Sequence, residues 1–427
     1  MNTWALVDMA LLCLVICVSA GFLSHLRPVQ SLIWLLCYAL TMLRIGMLWP
    51  YFSALILRNR LIFVYPLACM ASVLWSLEPK VTLISSLQLT MTFVIATYLG
   101  SRYSLVVITK VLLIFLSLAV VLSMLHWATG VFPWPRFSRV GGLVGIFTQK
   151  NMLGQRALFC AIIIFAVWLM PRRQVSNGMK LSAIVVFLLC LPALLLSQSI
   201  TAILLMPVML GFLALICIRR IPKGVSATVL FAGVVIAAIA PVIFAAAGTN
   251  PVEMVLGASG KDTSLTGRTE LWHVAREISA EYPILGVGYR AFWIAPEFFN
   301  ERLMTQHAGA TTSTSFHNFL HEIRVGGGLP TVLAVIGFLA TTTLRLWFLF
   351  IRTGSVVAAC GITLVAASIV VSLLTPSLIR PHEFIIVVLT MYAVSAQEDW
   401  RALSYGKEHF FEKAQKSPLF KSSRRTQ

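Results

Sequence analysis

The chain has little charge and few acidic side chains. Only 11% of its 427 residues are charged, and 15 acidic residues stand against 33 lysines and arginines. Soluble proteins carry about 25% charged residues, whereas 59% of this chain is hydrophobic. The composition therefore excludes a soluble enzyme and predicts a polytopic membrane protein that lies in a lipid bilayer. The net charge of +18 then reflects basic loops that orient the spans, and no nucleic-acid partner is expected.

Several catalytic and targeting signatures are also missing. The first apolar segment lacks a small-residue cleavage site, which favours a retained helix over a signal peptide. All eight cysteines lie in apolar runs without a C-x-x-C pair, so no disulfide is expected. No G-x-x-x-x-G-K-[ST] or G-x-S-x-G motif occurs, and "GVGYR" at 286–290 lacks the third glycine of a dinucleotide loop. An ATP-driven pump and a serine hydrolase are therefore without support.

Twelve apolar windows approach the ~20 residues that a helix needs to cross the hydrocarbon core. They lie near 4–23, 30–49, 61–75, 83–99, 104–125, 153–170, 181–197, 200–218, 226–246, 329–351, 355–374 and 384–397. The predicted fold class is an all-α integral membrane protein of about 12 transmembrane helices with one large periplasmic loop. Residues 1–246 hold helices 1–9, 247–328 form the loop, 329–397 hold helices 10–12, and 398–427 form a basic cytoplasmic tail.

Basic residues mark alternate loops and so predict the orientation. The clusters comprise Arg58, Arg60, Arg172, Arg173, Lys180, Arg219, Arg220, Lys223 and the tail from 401 to 425. The positive-inside rule makes all of them cytoplasmic if both termini are cytoplasmic. The segments 126–152 and 247–328 then lie outside the cytoplasm.

The large outer loop contains a predicted amphipathic helix. Within "GRTELWHVAREISAEYPI", the apolar residues Leu271, Val274, Ala275 and Ile278 share one helical face. Thr266 can cap the start of this helix, and Pro283 ends it. We expect its apolar face to pack on the membrane surface.

The stretch "FHNFLHEIRVGGGLP" at 316–330 combines two histidines, a glutamate and three glycines. His317 and His321 are four residues apart, as two zinc ligands on one helix face would be, but the H-E-x-x-H pattern places the glutamate between the histidines. A third ligand would have to come from a residue such as His307. Metal binding is therefore disfavoured, and from these residues alone a helix-end histidine bonded to the backbone is the simplest interpretation.

Ionisable residues are scarce in the middle of the predicted spans. Asp8, Arg44 and Lys110 lie near span ends, which argues against a proton-coupled carrier, since such carriers need charges near the bilayer midplane. Arginines and lysines instead gather on the predicted outer side. They are Arg136, Arg139, Lys150, Arg156, Arg268, Arg276, Arg290, Arg302, Arg324 and Arg380. Guanidinium groups match phosphate oxygens in bidentate fashion, so a lipid-linked phosphate or diphosphate is the expected ligand.

Four stretches, in this order, resemble the bacterial O-antigen ligase and polysaccharide polymerase superfamily. They are "GIFTQKNMLG" (145–154), "LLLSQSITAILL" (194–205), "TGRTELW…YPILGVGYRAF" (266–292) and "FHNFLHEIRVGGGLP". "WSLEP" at 75–79 is similar to the exopolysaccharide-polymerase-like branch. The resemblance implies a multispan glycosyltransferase fold of the C type that transfers a glycan from a polyprenyl diphosphate to an acceptor hydroxyl, with neither metal nor cofactor.

The resemblance also implies roles for individual residues. His317 matches the histidine that deprotonates or positions the acceptor, and Arg268 matches the arginine associated with the donor diphosphate. Arg290, Arg156 and Arg139 are further diphosphate candidates. The supporting candidates are Asn318, His321, Glu322, Gln198, Lys150 and Asn151. Glu322 is expected to hold an imidazole or pair with Arg324, and Asn318 to fix its loop by hydrogen bonds. Many members have a cation where this chain has Gln198, so Arg156 or Lys150 substitutes for it or donor binding differs here.

The resemblance leaves more than one function open. A polymerase that joins lipid-linked repeat units into exopolysaccharide or O-antigen is favoured by "WSLEP". A ligase that transfers finished glycan to lipid A–core uses the same donor chemistry. From other classes, a polyprenyl-linked glycan flippase or a non-catalytic assembly component remain alternatives. The expected location is the bacterial inner membrane, and a chain-length regulator and a flippase of the same pathway are expected partners.

Overall fold

The computed structural model describes residues 3–139, 141–218, 268–300 and 315–404, and the regular elements in these ranges are helices. They are α1 (Thr3–Ala20), α2 (Arg27–Met47), α3 (Trp49–Arg58), α4 (Arg60–Ala71), α5 (Pro79–Arg102), α6 (Leu105–Thr129), α7 (Lys150–Leu169), α8 (Asn177–Ser197), α9 (Ile200–Cys217), α10 (Arg268–Glu281), α11 (Phe319–Thr353), α12 (Val356–Ser372) and α13 (Phe384–Ser404). The short 3₁₀ turns Ser72–Trp75 and Pro296–Phe298 complete the described elements.

Eight of these helices are long and apolar enough to cross a membrane: α1, α2, α5, α6, α7, α8, α9 and α11. The segment Trp49–Trp75 can add a ninth span, but α3 and α4 meet at a bend of 86°. Helix α12 is apolar but has only 17 residues. The predicted window 226–246 lies outside the described residues. The all-helical membrane fold is therefore confirmed, with eight to nine candidate spans in the described ranges.

Helices α7 and α12 form the centre of the bundle. Nearly every residue of α12 is buried, including the small residues Ala358, Ala359 and Gly361, which allow neighbouring helices to approach closely. A side chain at Gly100 of α5 would meet the backbone of Met391 in α13, so these two helices also lie close together. All eight cysteines are free thiols, and five of them are buried.

Two ends of the bundle can be distinguished by which loops meet there. At one end, the loops 21–26, 72–78, 130–149, 198–199, 284–318 and 373–383 are joined by hydrogen bonds and ring contacts through their described residues. We call this the motif end, because the sequence motifs lie there. Helix α1 begins and α13 ends at the other end, which we call the opposite end.

At the opposite end, an ion-pair cluster joins three helices. Asp8 of α1 accepts hydrogen bonds from Arg44 of α2 at 2.9 and 3.1 Å and from Arg102 of α5 at 3.2 Å. The hydroxyl of Tyr98 donates to the same carboxylate at 2.7 Å, and Arg44 lies over the ring of Trp4. The charges that the sequence placed near span ends thus serve helix packing.

The amphipathic helix is present as α10, but its apolar face packs against protein. Leu271, Val274, Ala275 and Ile278 are all buried, as the spacing predicts. Their neighbours are protein side chains from the same outer segment, mainly Val287, Ala291, Phe292, Phe298 and Phe316. The expectation of a membrane-surface helix was therefore wrong, because the chain after α10 folds back and covers its apolar face. Thr266, the expected cap, lies outside the described residues.

Helix α11 starts earlier than the sequence suggested. It runs from Phe319, ahead of the expected start at Leu329, and contains a kink at Gly328, whose φ of 63° and ψ of −160° are not helical. The glycines at 326–328 therefore redirect the chain within one long helix. Helix α13 likewise extends to Ser404, into the segment expected to be a tail.

Candidate active site

The glycine-rich motifs pack directly against each other at the motif end. The backbone N–H groups of Val287 and Gly288 donate to the carbonyls of Val325 and Gly326 at 2.8 and 2.7 Å. Gly286 has a φ of 68°, and a side chain there would collide with the carbonyl of Val325. Only glycine combines this backbone conformation with so close an approach. "PILGVGYR" and "EIRVGGGLP" thus form one unit.

The "WSLEP" stretch holds this unit from the other side. The indole of Trp75 donates to the carbonyl of Leu285 at 2.8 Å, and the N–H of Leu77 donates to that of Val287 at 3.0 Å. The backbone N–H of Tyr289 donates to the hydroxyl of Ser72. The carbonyl of Tyr289 accepts a hydrogen bond from the hydroxyl of Thr82. Three separated motifs therefore fix the backbone that leads into Arg290.

His317 lies in a segment whose backbone is held at each position. The N–H of Phe316 donates to Glu322 at 2.7 Å, and the carbonyl of Phe316 accepts from the indole of Trp272 at 2.9 Å. The N–H of His317 donates to the hydroxyl of Ser315 at 2.9 Å. His317 itself has a φ of 54°, in the left-handed region that non-glycine residues seldom occupy. The surrounding bonds fix this conformation and leave the imidazole half-buried.

The expected supporting residues of this segment have mixed outcomes. Asn318 caps α11, since its side chain accepts from the N–H groups of Leu320 and His321, and its expected loop-fixing role is confirmed. Glu322 makes no ion pair with Arg324 among the described residues. Its carboxylate is used instead by the N–H of Phe316 and by the indole of Trp293 at 3.0 Å. The expected pair with Arg324 is therefore not formed there, because the side chain of Glu322 faces the preceding loop; the alternative role of holding an imidazole stays a prediction.

His317 and His321 do not share a helix face. Helix α11 begins at Phe319, so His317 belongs to the preceding loop while His321 lies in the first turn. The ring of His321 is close to that of Trp272, with 5.9 Å between centroids. His307 lies outside the described residues. Within the described ranges, no group of three or more His, Cys, Asp or Glu side chains could hold a metal ion.

The two remaining motifs contact each other beside α7. The N–H of Leu143 donates to the carbonyl of Leu196 at 2.7 Å, and Gly154 packs against Ser197 and Ser199. The tight turn between α8 and α9 places Gln198 in the left-handed conformation, with a φ of 52° and an exposed side chain beside the 141–142 backbone. Lys150 packs on the same glycine pair, and Asn151 follows it in the first turn of α7.

The predicted arginines divide into groups and do not form a single pocket in the described part. Arg139 is exposed in the loop before α7, and Arg136 there donates to the carbonyl of Trp127. Arg156 is fully buried in α7, where it donates to the carbonyl of Ala20 at 3.0 Å and to Gln155. The position of Arg156 makes it no substitute for a cation at the exposed turn around 198. The side chain of Arg268 and all of Arg302 lie outside the described residues.

The loop between α12 and α13, residues 373–383, is the part of the site that the motifs did not reveal. Tyr289 donates to the carbonyl of Ile379, and Tyr65 donates to that of Leu378 at 2.8 Å. On its other side, Gln155 of α7 donates to Ser377 at 3.4 Å. The loop thus connects the unit that carries Arg290 with the helix that carries Arg156.

His382 anchors the end of this loop. Its ring stacks on Trp34 with centroids 4.2 Å apart, and its Nε2 is hydrogen-bonded to the hydroxyl of Tyr38. Its backbone N–H donates to Thr92, which lies in the middle of α5. His382 is also in the left-handed region, with a φ of 66°, and burial lowers its pKa to about 4. The loop therefore reaches between the helices, and irregular backbone at such depth is found where protein surrounds it or a polar cavity adjoins it.

Glu383, the next residue, is half-buried and interacts electrostatically with three arginines. Burial raises the pKa of this carboxyl group, and the positive charges of Arg156, Arg380 and Arg290 lower it. Arg380 also interacts electrostatically with Glu322, which fixes the segment before His317. The two halves of the site therefore meet at Arg380.

Backbone conformation separates these residues from the rest of the chain. Within the described ranges, the non-glycine residues with positive φ are Gln198, Arg290, His317 and His382, and all four lie at the motif end. Such conformations persist only where the surroundings enforce them and are concentrated at functional sites. Three of the four are candidates from the sequence, whereas His382 carried no sequence signal except its place in a polar loop between apolar helices.

The comparisons with known proteins cover part of this site. Residues 185–336 match the family model described as O-antigen ligase, a range that includes Gln198, Arg268, Arg290 and His317. The chain is also similar to the "Exopolysaccharide production protein ExoQ" of Rhizobium meliloti (strain 1021), with 28% identity over 283 residues. This match covers 66% of the chain and 63% of the relative's length. The resemblance to the O-antigen ligase and polysaccharide polymerase superfamily, in its exopolysaccharide-polymerase-like branch, is thereby confirmed.

Proposed function

We propose that this protein is a glycosyltransferase that joins polyprenyl-diphosphate-linked oligosaccharide repeat units into exopolysaccharide or O-antigen. The observation that carries the proposal is the fixed segment around His317, linked electrostatically through Glu322 and Arg380 to a group of arginines, one of them buried. Such a site offers a titratable imidazole on one side and guanidinium groups on the other. The relative named for exopolysaccharide production supports the polymer rather than another glycan product.

The chemistry follows from these groups. The acceptor hydroxyl oxygen attacks the anomeric carbon of the donor, and its proton passes to the imidazole of His317, whose ordinary pKa of about 6.5 suits a base near neutral pH. The bond from the anomeric carbon to the diphosphate oxygen breaks, and its electron pair stays on the diphosphate. Arginines that are already positioned stabilise this charge most strongly where water is excluded. Because the diphosphate is itself the leaving group, the reaction needs no nucleotide, and we propose that it needs no metal.

The proposal includes the setting of the reaction. About twelve spans in a glycosyltransferase fold of the C type would lie in the bacterial inner membrane with both termini in the cytoplasm. The motif end would then face the periplasm, where a flippase delivers the donor and a chain-length regulator acts on the product. The basic clusters in the loops of the opposite end support this orientation.

Two other functions have a specific observation in their favour. A ligase that transfers glycan to lipid A–core is favoured by the description of the matching family model as O-antigen ligase. A flippase for lipid-linked glycans is favoured by Arg380, His382 and Glu383, because the 373–383 loop reaches the level of Thr92 in mid-α5. Charged groups do therefore lie between the spans, where the sequence indicated almost none.

One reconstitution distinguishes these functions. Purified protein in nanodiscs is supplied with the polyprenyl-diphosphate repeat unit of its own organism, without nucleotide and with EDTA. A ladder of lipid-linked oligomers that is lost in His317→Ala supports the polymerase. Transfer only to added lipid A–core identifies the ligase. No transfer to either acceptor by folded protein would contradict the proposal, and donor translocation in proteoliposomes would then identify the flippase.

A further inference from the structure

Glu383 has an unusual environment for a half-buried carboxylate. It lies directly before α13, where its side chain accepts the N–H of Phe384. The guanidinium of Arg156 covers the ring of Phe384 at 4.5 Å. Among the described residues Glu383 forms no direct ion pair, although three arginines act on it electrostatically. It therefore interacts with several cations at once and is not closed onto one of them.

The three arginines come from separate parts of the fold. Arg156 belongs to α7, Arg290 follows the glycine-rich turn, and Arg380 lies in the 373–383 loop. Arg290 and Arg380 make no hydrogen bond or ion pair within the ranges that the structure describes, so their N–H groups are not used by those residues. Arg156 is buried and the other two arginines are half-buried. Without a negative charge near them the three cations would repel each other, and burying unpaired charge is costly.

The net charge of this cluster fits one class of ligand. Arginine stays protonated in proteins, so three guanidinium groups and one carboxylate leave two positive charges. A diphosphate that is esterified at both ends, as in a lipid-linked glycan, carries one negative charge on each phosphorus. Bound donor and cluster together are then neutral, which is the favourable state for charges removed from water.

The position of the carboxylate is fixed by its neighbour. His382 is held by its stack on Trp34, its hydrogen bond to Tyr38 and the bond from its N–H to Thr92. Residue 383 is therefore tied to α2 and α5 as well as to α13. A carboxylate held in this way can define where the surrounding guanidinium groups lie.

We propose that Glu383 is the internal counter-ion of the donor site, a positioning residue that holds Arg156, Arg290 and Arg380 around the place where the donor diphosphate binds. This inference rests on the proposed function. Glu383 lies outside the range 185–336 that matches the family model. It limits how tightly the cluster binds the diphosphate, so that the polyprenyl diphosphate product can leave after transfer.

The test measures binding of farnesyl diphosphate, a short form of the leaving group, to purified protein in nanodiscs. The variants are Glu383→Gln, Glu383→Asp, Arg290→Gln and Arg380→Gln. The matched control is Glu398→Gln, which removes a carboxylate paired with Arg58 at the opposite end. Thermal unfolding is measured for every variant, so that folded protein is compared with folded protein.

We expect Glu383→Gln to bind farnesyl diphosphate about tenfold more tightly, because one repulsive charge near the ligand is gone. Its kcat and KM should both fall, since the product leaves more slowly. Glu383→Asp should restore most of the wild-type values, and each arginine variant should bind about tenfold more weakly. A merely structural role for Glu383 would not tighten binding.

Two results would overturn the inference in distinguishable ways. If the wild type binds farnesyl diphosphate and folded Glu383→Gln binds it equally or more weakly, the counter-ion role is contradicted. The proposed function is then left intact. No binding of farnesyl diphosphate by folded wild-type protein contradicts both the counter-ion role and the diphosphate-linked donor.

Discussion

The two ends of the helix bundle differ in how a carboxylate is paired with the arginines near it. At the opposite end, Asp8 closes onto Arg44 and Arg102 with every contact at hydrogen-bond distance, and Tyr98 completes the cluster. At the motif end, Glu383 lies among arginines without a direct ion pair in the described part of the chain. Closed pairs stabilise the packing of helices, whereas an open cluster keeps N–H donors for an anionic ligand. The closed cluster at the opposite end therefore joins helices, whereas we propose the open cluster at the motif end as the ligand site.

The largest effect on activity is expected from a substitution of His317 at the motif end. We expect His317→Ala to reduce transfer activity about 10²- to 10⁴-fold, the usual contribution of a positioned acid or base, with an unchanged melting temperature. The readout is the rate of oligomer formation in nanodiscs. His273→Ala, an exposed histidine on α10, is the matched control. Loss of thermal stability in His317→Ala would show that the imidazole is structural.

At the opposite end we expect substitutions to lower the melting temperature. Asp8→Asn leaves two guanidinium groups without their shared counter-charge, and breaking a buried pair in this way costs about 3–5 kcal/mol. We expect a strongly lowered melting temperature, measured by fluorescence-detected size exclusion after heating. Tyr98→Phe removes one hydrogen bond and keeps all charges, so it should cost only about 1 kcal/mol. Equal effects of the two variants would contradict the charge argument.

Glu322 tests how the motif end holds its histidine. Glu322→Gln replaces one of two acceptor oxygens by an NH₂ group that faces a donor, either the N–H of Phe316 or the indole of Trp293. We expect a loss of about 1–3 kcal/mol in stability and an activity loss of about 10- to 100-fold from misplacement of His317. Glu297→Gln, exposed in the same outer segment, is the control. Full activity in Glu322→Gln would show that the position of His317 does not depend on the hydrogen bonds that Glu322 accepts.

The smallest effect is expected at the rim of the opposite end. Arg58 and Glu398 are 3.5 Å apart and partly exposed, and such pairs contribute about 0–1 kcal/mol. Glu398→Gln should therefore leave melting temperature and activity close to wild type. A loss comparable with that of Asp8→Asn would show that the pair is part of the buried network around Arg345 and Asn59.

Local patterns predicted well what depends on neighbours in the chain. The apolar windows that fall in the described residues coincide with helices, and Leu271, Val274, Ala275 and Ile278 form the buried face of α10. The cap at Asn318 was also within reach of the sequence, because an N-cap bonds only to the next few residues. The surface that covers the apolar face of α10 could not be predicted in this way, because Phe292 and Phe316, which help to form it, come from later in the chain.

The sequence by itself determined that this protein is helical, lies in a membrane and resembles the O-antigen ligase and polymerase superfamily, and it made His317 the leading candidate. Hydrophobic periodicity and short motifs are local properties, so they can be read without a fold. Only the tertiary structure decided that Arg156, Arg290 and Arg380 all act electrostatically on Glu383, and that Glu322 fixes the segment before His317. The arginine cluster arises because α7, the glycine-rich turn and the 373–383 loop converge, and electrostatic interaction depends on distance in space rather than along the chain.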